Sequence, residues 1–247
     1  MELRAKEQLE IDAWRDSPTE APGVDSIENL VNKLKDAPVF LEAFARHHER
    51  FERAARILEI GGGQGWAACL LKKRLGPARH VTASDLSPFA VASTGMWERV
   101  FDVRLDGSLH CRSYEIPLEA ATVDLVFAFQ AAHHFVAHRR TLRELFRILA
   151  PGGVALYLHE PTCSRWLHPI ARHRVNQKGM PVPEDVLVHA RLLELAREAG
   201  FNASAVFDLS VAKRAPLELV YYHALRRLPP LKHVLPCTRD LVFEKPR

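Results

Sequence analysis

Cysteine, long apolar runs and charge of one sign are all scarce in this sequence. Its four cysteines, Cys69, Cys111, Cys163 and Cys237, lie far apart, with no C-x-x-C pair and no zinc-finger spacing. Free thiols in a reducing cytoplasm account for them. No apolar run approaches the ~20 residues that cross a bilayer, and the longest, around Val123–Phe129 and Val154–Leu158, are strand-sized. The opening MELRAKEQLE alternates charged and apolar residues and offers no signal-peptide core, which predicts a cytoplasmic chain with no membrane partner. Internal repeats are missing as well. Lys and Arg number 34 against 30 Asp and Glu, a net charge of +4 that names no partner when spread over the whole chain. What is present is ordinary globular composition, 47% apolar and 26% charged. That balance excludes a disordered or collagen-like chain. At ~150 residues per domain the length allows one large domain with an appendage, or two small ones.

Residues 1–54 read as polar helices broken by the turn-rich stretch Ser17–Gly23, with Asp25 or Ser26 capping a helix through Leu34 and a further helix over Val39–Arg53. From Ile57 the texture changes. Short aliphatic runs at Ile57–Ile60, His80–Ser84, Ser108–Arg112, Asp124–Phe129 and Gly153–His159 alternate with amphipathic stretches at Gly65–Leu75, Phe89–Arg99 and Arg139–Leu149. This alternation predicts an α/β chain whose parallel sheet is covered on both faces, with ligands bound beyond the carboxyl ends of the strands. A Pro/His/Arg-rich insert follows, then a helix near Glu184–Ala199 and a closing strand at Leu241–Glu244.

The sharpest local feature is Ile57-Leu58-Glu59-Ile60-Gly61-Gly62-Gly63-Gln64-Gly65-Trp66. An aliphatic strand enters a run of glycines and then a helix. Such a turn presents backbone amides and a helix N-terminus to a ligand with no Cβ in the way, which favours a nucleotide-type ligand over a plain tight turn. A relaxed dinucleotide fingerprint also fits Gly63–Ala68. Against a dinucleotide stand the acid at Glu59, Asp85 closing the second strand, and Pro151-Gly152-Gly153 opening the fifth.

With those residues in place, the stretch from about 55 to 160 resembles the class I S-adenosylmethionine-dependent methyltransferases. The family's E-x-G-x-G-x-G pattern falls on Glu59, Gly61, Gly63 and Gly65, and Asp85-Leu86 matches its ribose-binding acid and the residue beside adenine. Tyr114–Leu118 with Val123–Phe127, and Leu142–Gly153, resemble the approaches to its fourth and fifth strands. The resemblance implies a doubly wound, mostly parallel seven-stranded sheet, with residues 1–54 as a helical cap and 55–247 as the cofactor-binding domain. It also implies S-adenosylmethionine as cofactor, S-adenosylhomocysteine as product, and Ser113, Tyr114 and Gln130 as further cofactor contacts. One departure is visible: where the family places an acid for the adenine amino group, this chain has Arg112-Ser113, and arginine cannot accept a hydrogen bond.

Acceptor-facing residues should follow the fourth strand, at Gln130-Ala131-Ala132-His133-His134-Phe135. The Asn/Asp-Pro-Pro-aromatic motif of base and amide methylation is absent there, and so is a Pro-Cys nucleophile. The sequence resembles instead the small-molecule branch called type 11 or ubiquinone-like, in which a His-His-aromatic triplet is common. His133 and His134 then have two readings: a structural one, in which one of them packs under the cofactor and caps the next helix, and a functional one, in which the other serves as a general base. His134, His138 and His159 lack a carboxylate at matched spacing, so no metal is expected. The insert 161–183 holds Arg165, Arg172, Arg174 and Lys178 and no acid, which leaves 30 cations against 30 acids elsewhere. As a lid it suits an anionic acceptor met by Arg165 and Arg172, with His159 and Trp14 beside them; a solvated basic face is the alternative. The reading is O- or N-methylation of a small metabolite. An RNA methyltransferase and a non-catalytic cofactor-binding protein are the competing readings, and the near-neutral remainder of the chain opposes a broad nucleic-acid footprint.

Overall fold

The structure is a computed structural model that describes residues 3–24, 26–177 and 182–247. Two of the sequence readings, Asp25 as a helix cap and Lys178 as a lid cation, fall outside the described residues. The first strand, β1 (Arg56–Ile60), alternates strictly: Ile57 faces one layer of helices, Leu58 and Ile60 the other. The same alternation holds in the central strand β4 (Val123–Phe129), with Leu125, Phe127 and Phe129 on one side and Val126 and Ala128 on the opposite one. Strands buried on both faces need a helical layer on each, and both are present. One layer holds α2 (Ile27–Arg46), α4 (Trp66–Leu75) and α6 (Thr94–Phe101); the other holds α7 (His138–Ile148) and α9 (His189–Glu198).

With β2 (His80–Asp85), β3 (Gly107–His110), β5 (Leu149–Cys163), β7 (Asn202–Phe207) and β8 (Cys237–Glu244), the strand order is β3-β2-β1-β4-β5-β8-β7, and the two-residue β6 (Leu187–Val188) pairs with β5 off this path. Pairings from β3 to β5 are parallel, and β8 runs antiparallel to both of its neighbours. The chain is therefore α/β with a mostly parallel, doubly wound sheet.

Local chemistry explains where the elements depart from the sequence reading. The Ser26 hydroxyl accepts from the Asn29 amide and starts α2, which then continues through Pro38 to Arg46 instead of breaking after Leu34. Tertiary burial outweighs the proline, because Val39, Phe40 and Ala43 just beyond it are almost fully enclosed. The helix expected over Phe89–Arg99 is two, α5 (Pro88–Ala92) and α6, since the Ser93 and Thr94 hydroxyls donate to the carbonyls of Phe89 and Val91. Strand β5 runs beyond His159, and its register with β8 shifts between Tyr157 and Glu160, where His159 takes φ 55°. A bulge of this kind reverses the side-chain alternation that follows it. The helices α1 (Leu3–Arg15), α3 (His48–Arg53), α8 (His168–Asn176), α10 (Pro216–Arg227) and α11 (Pro229–Val234) complete the chain.

Candidate functional site

The carboxyl end of β1 opens into a cavity of about 610 Å³ whose walls come from α1, the glycine loop, the end of β2, the segment 111–114 and the segment after β4. Two glycines of the loop are required by close approach. Gly61 has φ 64°, and a Cβ there would lie 2.9 Å from the Phe135 ring; Gly63 has φ 56°, and a Cβ would lie 2.8 Å from the Trp14 indole. Both positions occupy the left-handed region that disfavours side chains. Gly65 caps α4 in the same left-handed conformation.

Two carboxylates flank this loop. Glu59 sits on an otherwise apolar face of β1, accepts from the Ala68 amide at 3.1 Å, and is pushed up to about 8 by burial, against which the amide works. Asp85, at the end of β2, accepts from the Gly63 amide and the Ser87 amide at 2.8 Å each; burial raises it to about 6. Each Asp85 oxygen keeps a lone pair for a further donor. Leu86 lies beside it in the wall, and Gln130, held at φ 50°, also lines the cavity.

Arg112 is turned away from any acceptor role: its guanidinium pairs with Glu7 at 3.1 Å and Glu115 at 3.4 Å. The Ser113 hydroxyl lies 2.9 Å from that of Thr141, and the Tyr114 hydroxyl donates to Glu7. All three remain in the wall. Glu7 is therefore a clasp between α1 and the 111–114 segment, a role for which the sequence carries no local signal.

The two histidines are allotted separate environments. His133 is buried, with Nδ1 2.8 Å from Glu160, while the Glu160 carboxylate also accepts from the amides of Ala131, Ala132 and His133. Burial would raise the Glu160 pKa, but the His133 hydrogen bond and charge together with the amides hold it below the usual range. Glu160 reaches this position through the β5 bulge, so simple strand alternation hides it. His134 lines the cavity, and its Nδ1 lies 2.8 Å from Glu10 of α1. Burial works to lower its pKa and Glu10, by hydrogen bond and charge, raises it above the ordinary value. A carboxylate at Nδ1 selects the tautomer that leaves the Nε2 lone pair free to take a proton.

Other expected site residues lie elsewhere. Trp14 is in the cavity wall over Gly63, but Arg165 and Arg172 are exposed and do not line it. His159 is also outside it: its ring pairs with Asp208 and its amide donates to Asp240 at 2.9 Å, both structural contacts. The cavity wall instead carries eight carboxylates and three basic side chains, Lys33, Arg112 and His134, and five of the carboxylates are paired: Glu7 with Arg112, Glu10 with His134, Asp16 with Arg15, Glu20 with Lys33 and Asp36 with Lys213. The anionic-acceptor expectation rested on the lid arginines, and their position removes its support. Among the described residues, no group of three or more His, Cys, Asp or Glu is placed to hold a metal ion.

A glycine loop between a buried acid and a strand-ending aspartate thus borders the cavity at the carboxyl end of an open α/β sheet. Residues 58–157 match the family described as "Methyltransferase domain". Over 119 residues the chain is 34% identical to a probable S-adenosylmethionine-dependent methyltransferase of Mycolicibacterium smegmatis, covering 46% of this chain and 43% of that protein. Over 118 residues it is 30% identical to a ubiquinone/menaquinone biosynthesis C-methyltransferase of Xylella fastidiosa, covering 47% and 46%. The chain thus spans less than half the length of these curated relatives. The fold is shared with the crystal structure of a putative sarcosine dimethylglycine methyltransferase from Galdieria sulphuraria, at TM-score 0.62 and 14% identity over 98% of each chain. Residues 58–157 thus match the type 11 methyltransferase-domain family, and over this stretch the chain is similar to a probable S-adenosylmethionine-dependent methyltransferase.

Proposed function

We propose that this chain transfers a methyl group from S-adenosylmethionine to a hydroxyl or amine of a small molecule, with His134 as the general base and Glu10 as the residue that positions it. One juxtaposition carries the reading: the glycine loop with Glu59 and Asp85 opens into the same cavity as the Glu10–His134 pair. The residues present fit the cofactor. Gly61 and Gly63 admit the close approach of Phe135 and Trp14 at the cavity wall, Asp85 offers acceptor lone pairs to ribose hydroxyls, and Glu59 offers a buried carboxylate to an ammonium. The bound cofactor supplies an electrophilic methyl group on a sulfonium.

The protein's own part is positioning, exclusion of water and one proton. Trp14 and Phe135 close over the glycine loop, and His134 Nε2 takes the proton of the acceptor. His133, fixed by Glu160, holds the turn that presents His134.

The test is product formation from methyl-labelled S-adenosylmethionine across a panel of amines, alcohols and carboxylates, with wild type, His134→Gln and Glu10→Gln. A panel member is turned over by the wild type, and His134→Gln lowers kcat on it by 10²–10⁴-fold with S-adenosylhomocysteine affinity kept. Glu10→Gln lowers kcat less and moves the acid limb of the pH profile to lower pH, because the carboxylate that raises His134 is gone. Turnover of carboxylates alone, or an unmoved acid limb, would overturn the assignment.

A further inference from the structure

The surface beyond the active-site end of the sheet carries an exposed combination of apolar and basic groups that the methyl-transfer reading does not use. Helix α10 buries Tyr222 and Leu225 on its inner side. Its outer side is apolar as well: Leu217, Val220, Ala224 and Leu228 recur at spacings of three and four, with Leu217 84% and Val220 67% exposed. A stripe at that spacing is one face of a helix, and here it faces solvent. Leu231 and Val234 on α11 extend the exposed apolar set. Arg226 and Arg227 flank it, and Glu218 is the single acid between 211 and 236. The Glu218 side chain is occupied by the Ala215 amide at the start of α10.

A second piece has the same composition. Trp166 is 88% and Ile170 67% exposed, four residues apart at the start of α8, among Arg165, Arg172 and Arg174. No acid occurs from 161 to 177. None of these five arginines has an acidic ion-pair partner among the described residues.

Sheet register brings the two pieces to one end of the molecule. Thr162 of β5 pairs with Cys237 of β8, so the chain leaves β5 towards Trp166 next to where it enters β8 from α11. Arg239 ties the junction, donating to the Thr162 hydroxyl at 3.1 Å and to the Lys232 carbonyl. This is the carboxyl end of β1 and β4, where the cavity opens.

We propose that α8, α10 and α11 form a peripheral docking surface for an anionic lipid bilayer. Apolar stripes with a tryptophan, flanked by unpaired arginines, suit the boundary between headgroups and acyl chains. The cations are complementary to anionic headgroups, and each contributes by proximity without a defined partner geometry. No helix among the described residues is long and apolar enough to cross a membrane, so the contact is with the bilayer surface.

The experiment is co-sedimentation of the full chain with vesicles of phosphatidylcholine alone and of phosphatidylcholine mixed with phosphatidylglycerol, with tryptophan emission recorded on the same samples. Binding is expected to the mixed vesicles, to weaken with added salt, and to shift emission to the blue in wild type but much less in Trp166→Phe. At about fivefold per cation, Arg226→Ala with Arg227→Ala lowers partition roughly 25-fold. Leu217→Ser with Val220→Ser lowers it at constant charge. All of these positions are exposed, so unchanged circular dichroism and S-adenosylhomocysteine binding certify folding. Absence of binding to mixed vesicles, equal binding to both vesicle types, or double variants that partition like wild type would each overturn the proposal. So would sedimentation equilibrium showing that the same substitutions dissociate a dimer of this chain while vesicles are left unbound, since a second copy would then be the occupant.

Discussion

Glu59 is a carboxylic acid whose environment opposes its ordinary chemistry. It follows two aliphatic residues in β1, shares their burial, and has one hydrogen bond, from Ala68. Its folded-state value of about 8 lies above its ordinary 4.5, so the fold favours the neutral form, and stability declines as pH rises from about 4.5 through about 8. A ligand ammonium set against this carboxylate favours the ionised form. Binding of S-adenosylhomocysteine near pH ~7 is therefore expected to release protons. Calorimetric titration in two buffers of different ionisation enthalpy reads that release, and Glu59→Gln should reduce it and weaken binding. Equal heats in the two buffers would rule the account out. Asp85, raised from 3.8 to about 6, works in the same direction over that narrower and lower window.

At the scale of elements, α1 closes the site. Glu7 clasps Arg112 and Tyr114, Glu10 meets His134, and Trp14 covers Gly63, so three side chains spaced three and four apart on one helical face meet three segments of the domain. Gly63→Ala should cost about 1–2 kcal/mol through its left-handed backbone and, by displacing Trp14, weaken S-adenosylhomocysteine binding tenfold or more. Adding Trp14→Ala relieves the contact and leaves the backbone cost, so the double variant should regain binding without regaining stability. Denaturant unfolding and calorimetry separate the two, and a double variant no better at binding than Gly63→Ala would show that the indole is not the obstacle.

Over the whole molecule, the two ends of the chain are joined by a buried charge network. Arg46, at the end of α2, reaches Asp208 and Asp240 at 2.9 Å each; His47 meets Asp240 at 2.9 Å, and His159 meets Asp208. Both aspartates are fully enclosed. Burial would raise the Asp208 pKa, but His159 and Arg46 hold it below the usual range, so its contribution to stability is present at neutral pH and lost as pH falls through that lowered value. Arg46→Ala removes the one cation the two carboxylates share, leaving them to His47 and His159, and should destabilise the protein by about 3 kcal/mol. Asp240→Asn in the same background should recover part of the loss. A melting temperature unchanged by Arg46→Ala would remove the network from the account of stability.

The central strands, the glycine loop and Asp85 were legible in the sequence because each depends on neighbours within a few residues: hydrophobic alternation, glycines that admit left-handed backbone, a carboxylate at a strand end. So was the His-His-Phe turn after β4. The edge strand β7 was not, since Asn202–Phe207 is half exposed and its inward positions include Ala203 and Ala205, which give little apolar contrast. The assignment of roles within the site was beyond it as well. Glu10 lies 124 positions from His134, Glu160 reaches His133 only through a one-residue bulge, and Arg165 and Arg172 are exposed and absent from the cavity wall they were expected to line. Short-range backbone preferences are written in the sequence and determined the domain and its cofactor loop. Which carboxylate meets which histidine, and whether Arg165 and Arg172 reach the cavity, was decided by packing between segments far apart in the chain, where a shift of one residue or one helix face exchanges the cavity for solvent.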